Sequence, residues 1–191
     1  MQKRLFKNIG FLTISQLANY LLPLVTIPYV TRIVGPENFG LIEFAQATLL
    51  FFIVTINHGF NRTATRRIAA KAQDMDKVSF VFSTVMLAKA LLFAFCLVIF
   101  LVMVLFIPKF SENLVILTAG FPIVLGWGLY PVFIYEGLQK VSVTALVDVL
   151  IKTAAAVLIL TLVNDPEDYY KVPMFNGAMQ VFFGAAALIY A

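Results

Sequence analysis

The chain has 191 residues, of which 61% are hydrophobic and only 13% are charged. Its mean hydropathy is +0.93. Soluble domains carry roughly 25% charged residues, so this composition excludes an ordinary soluble domain and indicates an integral membrane protein. The net charge of +4 gives no sign of a nucleic-acid partner, because its placement along the chain matters more than its sum. The single cysteine, Cys96, excludes a disulfide framework and a thiolate metal site.

Six apolar segments are each long enough to cross about 30 Å of hydrocarbon as a helix. They run over residues 9–33, 41–60, 78–107, 114–135, 141–163 and 172–191. Apolar runs of about 20 residues favour helices over an outer-membrane barrel, whose strands alternate every second residue. The sequence therefore predicts one all-α membrane domain over residues 1–191, with about six transmembrane helices.

Lysine and arginine concentrate on one side of this arrangement. Nine lie on the side of the N-terminus: Lys3, Arg4, Lys7, Arg62, Arg66, Arg67, Lys71, Lys77 and Lys140. Three lie on the opposite side: Arg32, Lys109 and Lys171. Because cytoplasmic loops carry the excess of positive charge, we expect a cytoplasmic N-terminus. The basic loop at residues 61–77 also suits attraction to anionic membrane lipids.

Amide side chains form a polar seam on each of the first two segments. On the first segment, Gln16 and Asn19 continue a face that starts at Asn8, with spacings of three and four residues. On the second, Gln46 and Asn57 lie close to one stripe. The seams predict either a surface on a water-filled cavity or hydrogen bonds between packed helices.

Four prolines fall inside the apolar segments. Pro23 and Pro28 lie in the first segment, and Pro122 and Pro131 lie in the fourth. A proline frees a backbone carbonyl, which a membrane helix tolerates where protein or water can satisfy it, and it permits bending. We predict hinges at these four positions, with plain helix packing as the alternative in the fourth segment.

A lysine lies deep in the third segment. Lys89 follows about a dozen residues of that segment, where burying a charge costs roughly 2.5–3.5 kcal/mol. Such a residue usually faces the bundle interior or a cavity. The alternative is that its stem lies in lipid and its amine reaches the headgroups.

An acid and a base lie four residues apart in the fifth segment. Asp148 and Lys152 share one helical face at a spacing that suits an ion pair. We interpret them as a self-neutralised pair that lowers the cost of insertion. A contact of Lys152 with a substrate or coupling ion is the alternative.

Three motifs resemble those of bacterial polysaccharide exporters. The first is Gln16-x-x-Asn19 followed by Pro28-x-x-x-Arg32-x-x-Gly35-Pro36-Glu37-Asn38-Phe39-Gly40. The second is Gly59 with Arg66-Arg67-Ile68-Ala69, and the third is Tyr135-Glu136-Gly137-Leu138-Gln139-Lys140. Together they are similar to the O-antigen flippase branch of the multidrug/oligosaccharidyl-lipid/polysaccharide exporter superfamily.

The resemblance implies a two-lobed transporter of the bacterial inner membrane. Such a protein flips an oligosaccharide carried on undecaprenyl diphosphate from the cytoplasmic to the periplasmic leaflet by alternating access, alongside polysaccharide polymerase machinery. The chain stops within an apolar run, so we expect it to be the N-terminal lobe. From location and charge, Arg32, Lys89 and Lys152 are the candidates for attracting the diphosphate.

Two other functions stay open from the sequence. A cation-coupled multidrug exporter of the same superfamily would need an uncompensated deep acid, for which Asp148 is the candidate. A non-catalytic membrane subunit of polysaccharide assembly would need no hydrated cavity. An enzyme is disfavoured because the chain has no nucleophile–base spacing and no phosphate-cradling glycine loop. We therefore expect a transporter without a cofactor, apart from a coupling ion such as H⁺ or Na⁺.

Overall fold

The computed structural model describes the backbone of residues 2–191 and the side chains of Thr13 and residues 15–191. The basic tip and Asn8 therefore lie outside the described side chains. The described backbone forms helices and no strand, which confirms the all-α class. The helices are α1 (Gln2–Asn57), α2 (Phe60–Ala70), α3 (Met75–Phe106), α4 (Pro108–Glu112), α5 (Leu114–Gly120), α6 (Pro122–Leu129), α7 (Val132–Gly137), α8 (Val141–Leu162) and α9 (Lys171–Tyr190), with a 3₁₀ turn at Pro166–Tyr170.

The described chain contains five helical stretches that are long and apolar enough to cross a membrane. They are Ser15–Ala70, Met75–Phe106, Leu114–Gly137, Val141–Leu162 and Pro166–Tyr190. The first of these stretches contains most of α1. The 56 residues of α1 would extend about 84 Å as a straight helix, which is too long for one crossing. A bilayer core is about 30 Å thick, so α1 must contain two crossings.

Gly35 divides α1 into a first arm, residues 2–34, and a second arm, residues 36–57. Its φ of 79° and ψ of 166° are open to glycine and strained for any other residue. Pro36 follows at the start of the second arm, where its missing N–H is not needed. The first two predicted segments end at residue 33 and begin at residue 41, but in the structure only Gly35 between them leaves the helical conformation.

The chain reverses direction at Gly35. Asn19 contacts Lys152, and Tyr29 donates its hydroxyl to two carbonyls at the end of α8, so the first arm and α8 run in the same direction. Ile56, at the end of the second arm, packs near the end of α6, and the residue after α6 bonds to the start of α8. The second arm therefore returns along the bundle, as the six-crossing prediction requires.

The fourth predicted segment is a broken helix. Pro122 begins α6, and Tyr130 has an extended ψ of 111° directly before Pro131. Residues that precede proline favour this conformation because the proline ring clashes with a helical neighbour. Pro23 and Pro28, in contrast, lie inside α1 without a break. Motion at any of these prolines stays a prediction.

Buried side chains form two clusters along the bundle. The first lies between the second arm, α3 and the start of α6, where Phe100 and Phe121 stack with ring centroids 4.5 Å apart and Phe52 meets Phe100 at 6.2 Å. The second joins α2, the first half of α3 and α7 around Tyr130 and Phe133. The break at Pro131 therefore lies in the second cluster.

Glycines bring α6 and α9 into close contact. A Cβ atom added to Gly126 would lie 2.6 Å from the backbone carbon of Gln180, and one added to Gly184 would lie 2.8 Å from the carbonyl oxygen of Gly126. Small residues permit such close approach between membrane helices. These two helices therefore pack backbone to backbone.

Candidate functional site

A polar patch lies where the first arm of α1 meets α8. Lys152 Nζ donates a hydrogen bond to Asn19 Oδ1 across the two helices. Lys152 and Gln16 are exposed, and Asn19 and Asp148 are half-buried. We call these four residues the α1–α8 patch. The structure thus joins two of the eight predicted substrate-pathway residues, Asn19 and Lys152, by a hydrogen bond, and Gln16 and Asp148 lie about one turn before them on the same two helices.

The packing of α8 against its neighbours explains why the patch faces outward. The buried side of α8 includes the small residues Ala145, Ala155 and Ala156, which allow close helix approach. Tyr29 fixes the first arm to α8 by donating to Leu160 O at 3.1 Å and Val163 O at 3.0 Å. Lys152 lies away from this buried side and keeps its amine on the surface of the bundle.

Asp148 and Lys152 form no ion pair within 4 Å, so the predicted direct contact is absent, although the Lys152 charge still acts on the Asp148 carboxylate. Among the described residues, N–O distances within 4 Å join only Lys77 to Asp74 and Lys171 to Asp168. Lys152 donates to Asn19 instead. A spacing of four residues on α8 permits an ion pair, but Asn19 of α1 is the closer partner of Lys152.

Three side chains of the α1–α8 patch, those of Gln16, Asn19 and Lys152, could bind an anionic ligand that carries hydroxyl groups, whereas the Asp148 carboxylate would oppose an anion. The Lys152 ammonium attracts negative charge, and hydrogen bonds that involve a charged group are roughly twice as strong as neutral ones. The amides of Gln16 and Asn19 can each donate to and accept from hydroxyls. In the part of the chain with described side chains, no three His, Cys, Asp or Glu residues are placed to hold a metal ion.

Lys89 lies apart from the patch, in the second buried cluster. Its side chain is 1% exposed, and Nζ donates to Trp127 O and Tyr130 O, both at 3.2 Å. The Phe133 ring centroid lies 5.8 Å from the same nitrogen. The predicted interior placement is therefore confirmed, and the alternative in which the amine reaches the headgroups is wrong.

The remaining predicted site residues form no hydrogen bond or ion pair with the patch in the described structure. Arg32 is exposed near the end of the first arm, and Gln46 is exposed on the second arm. Asn57 is half-buried and donates to Ile53 O of its own helix at 3.0 Å, while its buried Oδ1 has no partner. A role for these three residues in a substrate pathway stays a prediction.

The sequence did not predict the roles of several buried or half-buried polar groups. The hydroxyls of Tyr29, Tyr130 and Tyr135 bond to backbone carbonyls on other helices or segments, with Tyr135 donating to Ala187 O. Gln180 is buried and its Nε2 has no partner among the described residues. A tyrosine or glutamine inside an apolar run was the available signal, because such polar tips need a partner away from water.

Comparison with known protein families shows to which family the chain belongs. The family model described as polysaccharide biosynthesis protein matches residues 5–191. The chain belongs to this family. The match confirms the resemblance to polysaccharide exporters that the Gly35–Gly40 motif suggested.

Two curated relatives of this family member bear the name "Putative O-antigen transporter". The protein from Escherichia coli (strain K12) is 35% identical over 182 residues, which cover 95% of this chain and 44% of the relative. The protein from Shigella dysenteriae is 27% identical over 184 residues, which cover 96% of this chain and 46% of the relative. The chain therefore spans less than half the length of these relatives. No solved structure gave a significant match.

Proposed function

We propose that this chain forms the N-terminal lobe of a flippase for a lipid-linked oligosaccharide. The substrate is an O-antigen or similar unit on undecaprenyl diphosphate, which moves from the cytoplasmic to the periplasmic leaflet of the bacterial inner membrane. Family membership and the names of the two relatives support export of a polysaccharide unit. The share of those relatives that the chain covers supports a second lobe of similar length.

The observation that carries the proposal is the exposed amine of Lys152 within a membrane-spanning helix. A charged group at this depth costs roughly 2.5–3.5 kcal/mol in hydrocarbon, and such residues usually face a bundle interior or a water-filled cavity. The α1–α8 patch is therefore the side of the lobe that faces a hydrated cavity and the second lobe. In this cavity, Lys152 attracts the diphosphate while Gln16 and Asn19 bind sugar hydroxyls.

Alternating access then moves the two lobes relative to each other around the bound head group, with the lipid tail left in the bilayer. The N-terminus lies in the cytoplasm, and a coupling ion, H⁺ or Na⁺, drives the cycle. Polysaccharide polymerase machinery receives the flipped unit. No catalytic step is part of this function.

The test uses the full-length protein in a strain that lacks its own flippase. We expect Lys152→Met to lower surface polysaccharide by about tenfold, the loss that accompanies removal of a charge-assisted hydrogen bond, at unchanged protein amounts. Lys152→Arg keeps the charge and should retain most export. Lys140→Met, which removes an exposed lysine between α7 and α8, is the matched control. Wild-type export by Lys152→Met would refute the role of the patch.

A cation-coupled multidrug exporter is a second candidate, favoured by one observation. Asp148 is half-buried in α8 and has no ion-pair partner within 4 Å in the described structure. A proton- or sodium-coupled exporter needs such an acid to change its charge during the cycle. If the protein confers drug resistance that Asp148→Asn abolishes, and deletion of the whole protein leaves polysaccharide export unchanged, the multidrug function is the correct one.

A further inference from the structure

The carbonyls of Trp127 and Tyr130 are two of those that lose their helical partners where α6 ends. The last regular bond runs from Tyr130 N to Gly126 O at 3.0 Å. The next would join residue 131 to Trp127 O, but Pro131 has no N–H to donate. The carbonyl of Tyr130 is also bypassed, because Ile134 N bonds to Pro131 O instead. Inside a membrane-spanning segment no bulk water replaces these bonds.

Lys89 supplies the missing donors from the neighbouring helix α3. Its Nζ lies 3.2 Å from Trp127 O and 3.2 Å from Tyr130 O. We infer that Lys89 replaces the backbone donor that Pro131 removes and so binds α3 to the break between α6 and α7. The ammonium also lies at the C-terminal end of α6, where the helix dipole favours a cation.

The surroundings of Lys89 agree with this role rather than with ligand binding. The side chain is 1% exposed. Besides the two carbonyls, the ammonium lies over the face of the Phe133 ring. Among the described residues, no carboxylate lies within 4 Å of its nitrogen. A buried ammonium that is fully occupied by protein carbonyls and an aromatic ring has no position left for a substrate phosphate.

The segment after the break is held on its other sides as well. Tyr135 donates to Ala187 O in α9, and Thr65 of α2 donates to Phe133 O at 3.4 Å. Gly137 lies so close to α2 that an added Cβ would meet Ile68 at 2.7 Å. Contacts from α2, α3 and α9 therefore hold the segment after the break, and Lys89 is the positioning residue on the side of α3.

A double-mutant cycle in the purified full-length protein tests this inference, independently of what the protein transports. Lys89→Met keeps the length of the side chain and removes the donor, whereas Pro131→Ala restores a backbone N–H next to Trp127. We expect Lys89→Met to lower the melting temperature by several degrees and to speed hydrogen exchange in residues 132–137. In the Pro131→Ala background the same change should lower the melting temperature by less than half as much.

Two further variants keep the inference testable if Pro131→Ala does not fold. Lys89→Arg retains donors and should keep the slow exchange of residues 132–137, whereas Lys89→Met should not. Lys152→Met removes a deep lysine on the surface of the bundle and should leave that exchange unchanged. Equal losses from Lys89→Met in both backgrounds, or unchanged exchange of residues 132–137 in Lys89→Met, would overturn the inference.

Discussion

Replacing Gly126 by alanine tests the backbone contact between α6 and α9. The new methyl carbon would lie 2.6 Å from both the backbone carbon and Cγ of Gln180, and 2.7 Å from Val181 N. Ordinary contacts begin at 3.4 Å, so the helices must separate by about 0.8 Å at this point. Two of the three obstructing atoms belong to the backbone and cannot turn aside as a side chain would.

The expected cost follows from this overlap. Forcing one extra methyl group into a packed interior typically costs about 1–3 kcal/mol, and the rigid neighbour places Gly126→Ala toward the upper end. Gly40 provides the matched control, since it is exposed in the helical second arm of α1 and an added Cβ would meet nothing within 4 Å. Gly40→Ala should therefore stabilise the protein slightly, by up to about 1 kcal/mol, because alanine loses less backbone entropy in a helix.

Thermal unfolding of the two purified full-length variants in the same detergent measures the difference. We expect Gly126→Ala to melt several degrees below the wild type and to accumulate less in the membrane, and Gly40→Ala to melt at or slightly above it. If Gly126→Ala is as stable as Gly40→Ala, the two helices do not pack backbone to backbone, and the arrangement of α6 against α9 described above is incorrect.

Two further predictions concern the first arm and the orientation of the chain. Tyr29→Phe should lower the free energy of unfolding by about 1 kcal/mol by removing the hydroxyl that binds the end of α8, whereas Tyr20→Phe, at an exposed position, should not; equal stability of the two variants would contradict this. In a variant that lacks Cys96, a cysteine at Gln73 should react with membrane-impermeant reagents only from the cytoplasm and one at Ser111 only from the periplasm, as the lysine and arginine distribution requires. Labelling of Gln73→Cys from the periplasm would reverse the topology.

The helices could be predicted from sequence because each crossing depends mainly on local composition. The run from Val141 to Leu162 shows this, since its predicted and observed bounds nearly coincide. The position of the turn at Gly35 could be predicted from the sequence, but its length could not. A glycine followed by proline predicts a break without fixing how many residues leave the helical conformation. Asn38 donates to Val34 O in its own helix and to Pro166 O. Pro166 belongs to a segment that is distant in sequence.

The candidate site was less predictable because its contacts join distant segments. The spacing of Asp148 and Lys152 permits an ion pair, and from the sequence alone that was the best-supported partner. Asn19 lies 133 residues from Lys152 along the chain, and only the parallel packing of the first arm on α8 brings the two together. A spacing of four residues indicates which side chains can meet on one helix. It does not indicate which side chains of a neighbouring helix can bind the same group.

The two deep lysines show what decides the role of a charge in a membrane helix. Lys89 and Lys152 both lie well inside apolar segments, and their depth alone supports the same function for each. What separates them is the partner each one reaches: Lys89 is buried and donates to two backbone carbonyls at the break before Pro131, whereas Lys152 is exposed and donates to the side chain of Asn19, although Pro23 and Pro28 lie in the same arm. A proline in one segment is therefore a reason to look for a buried donor in its neighbour before assigning that donor to a substrate.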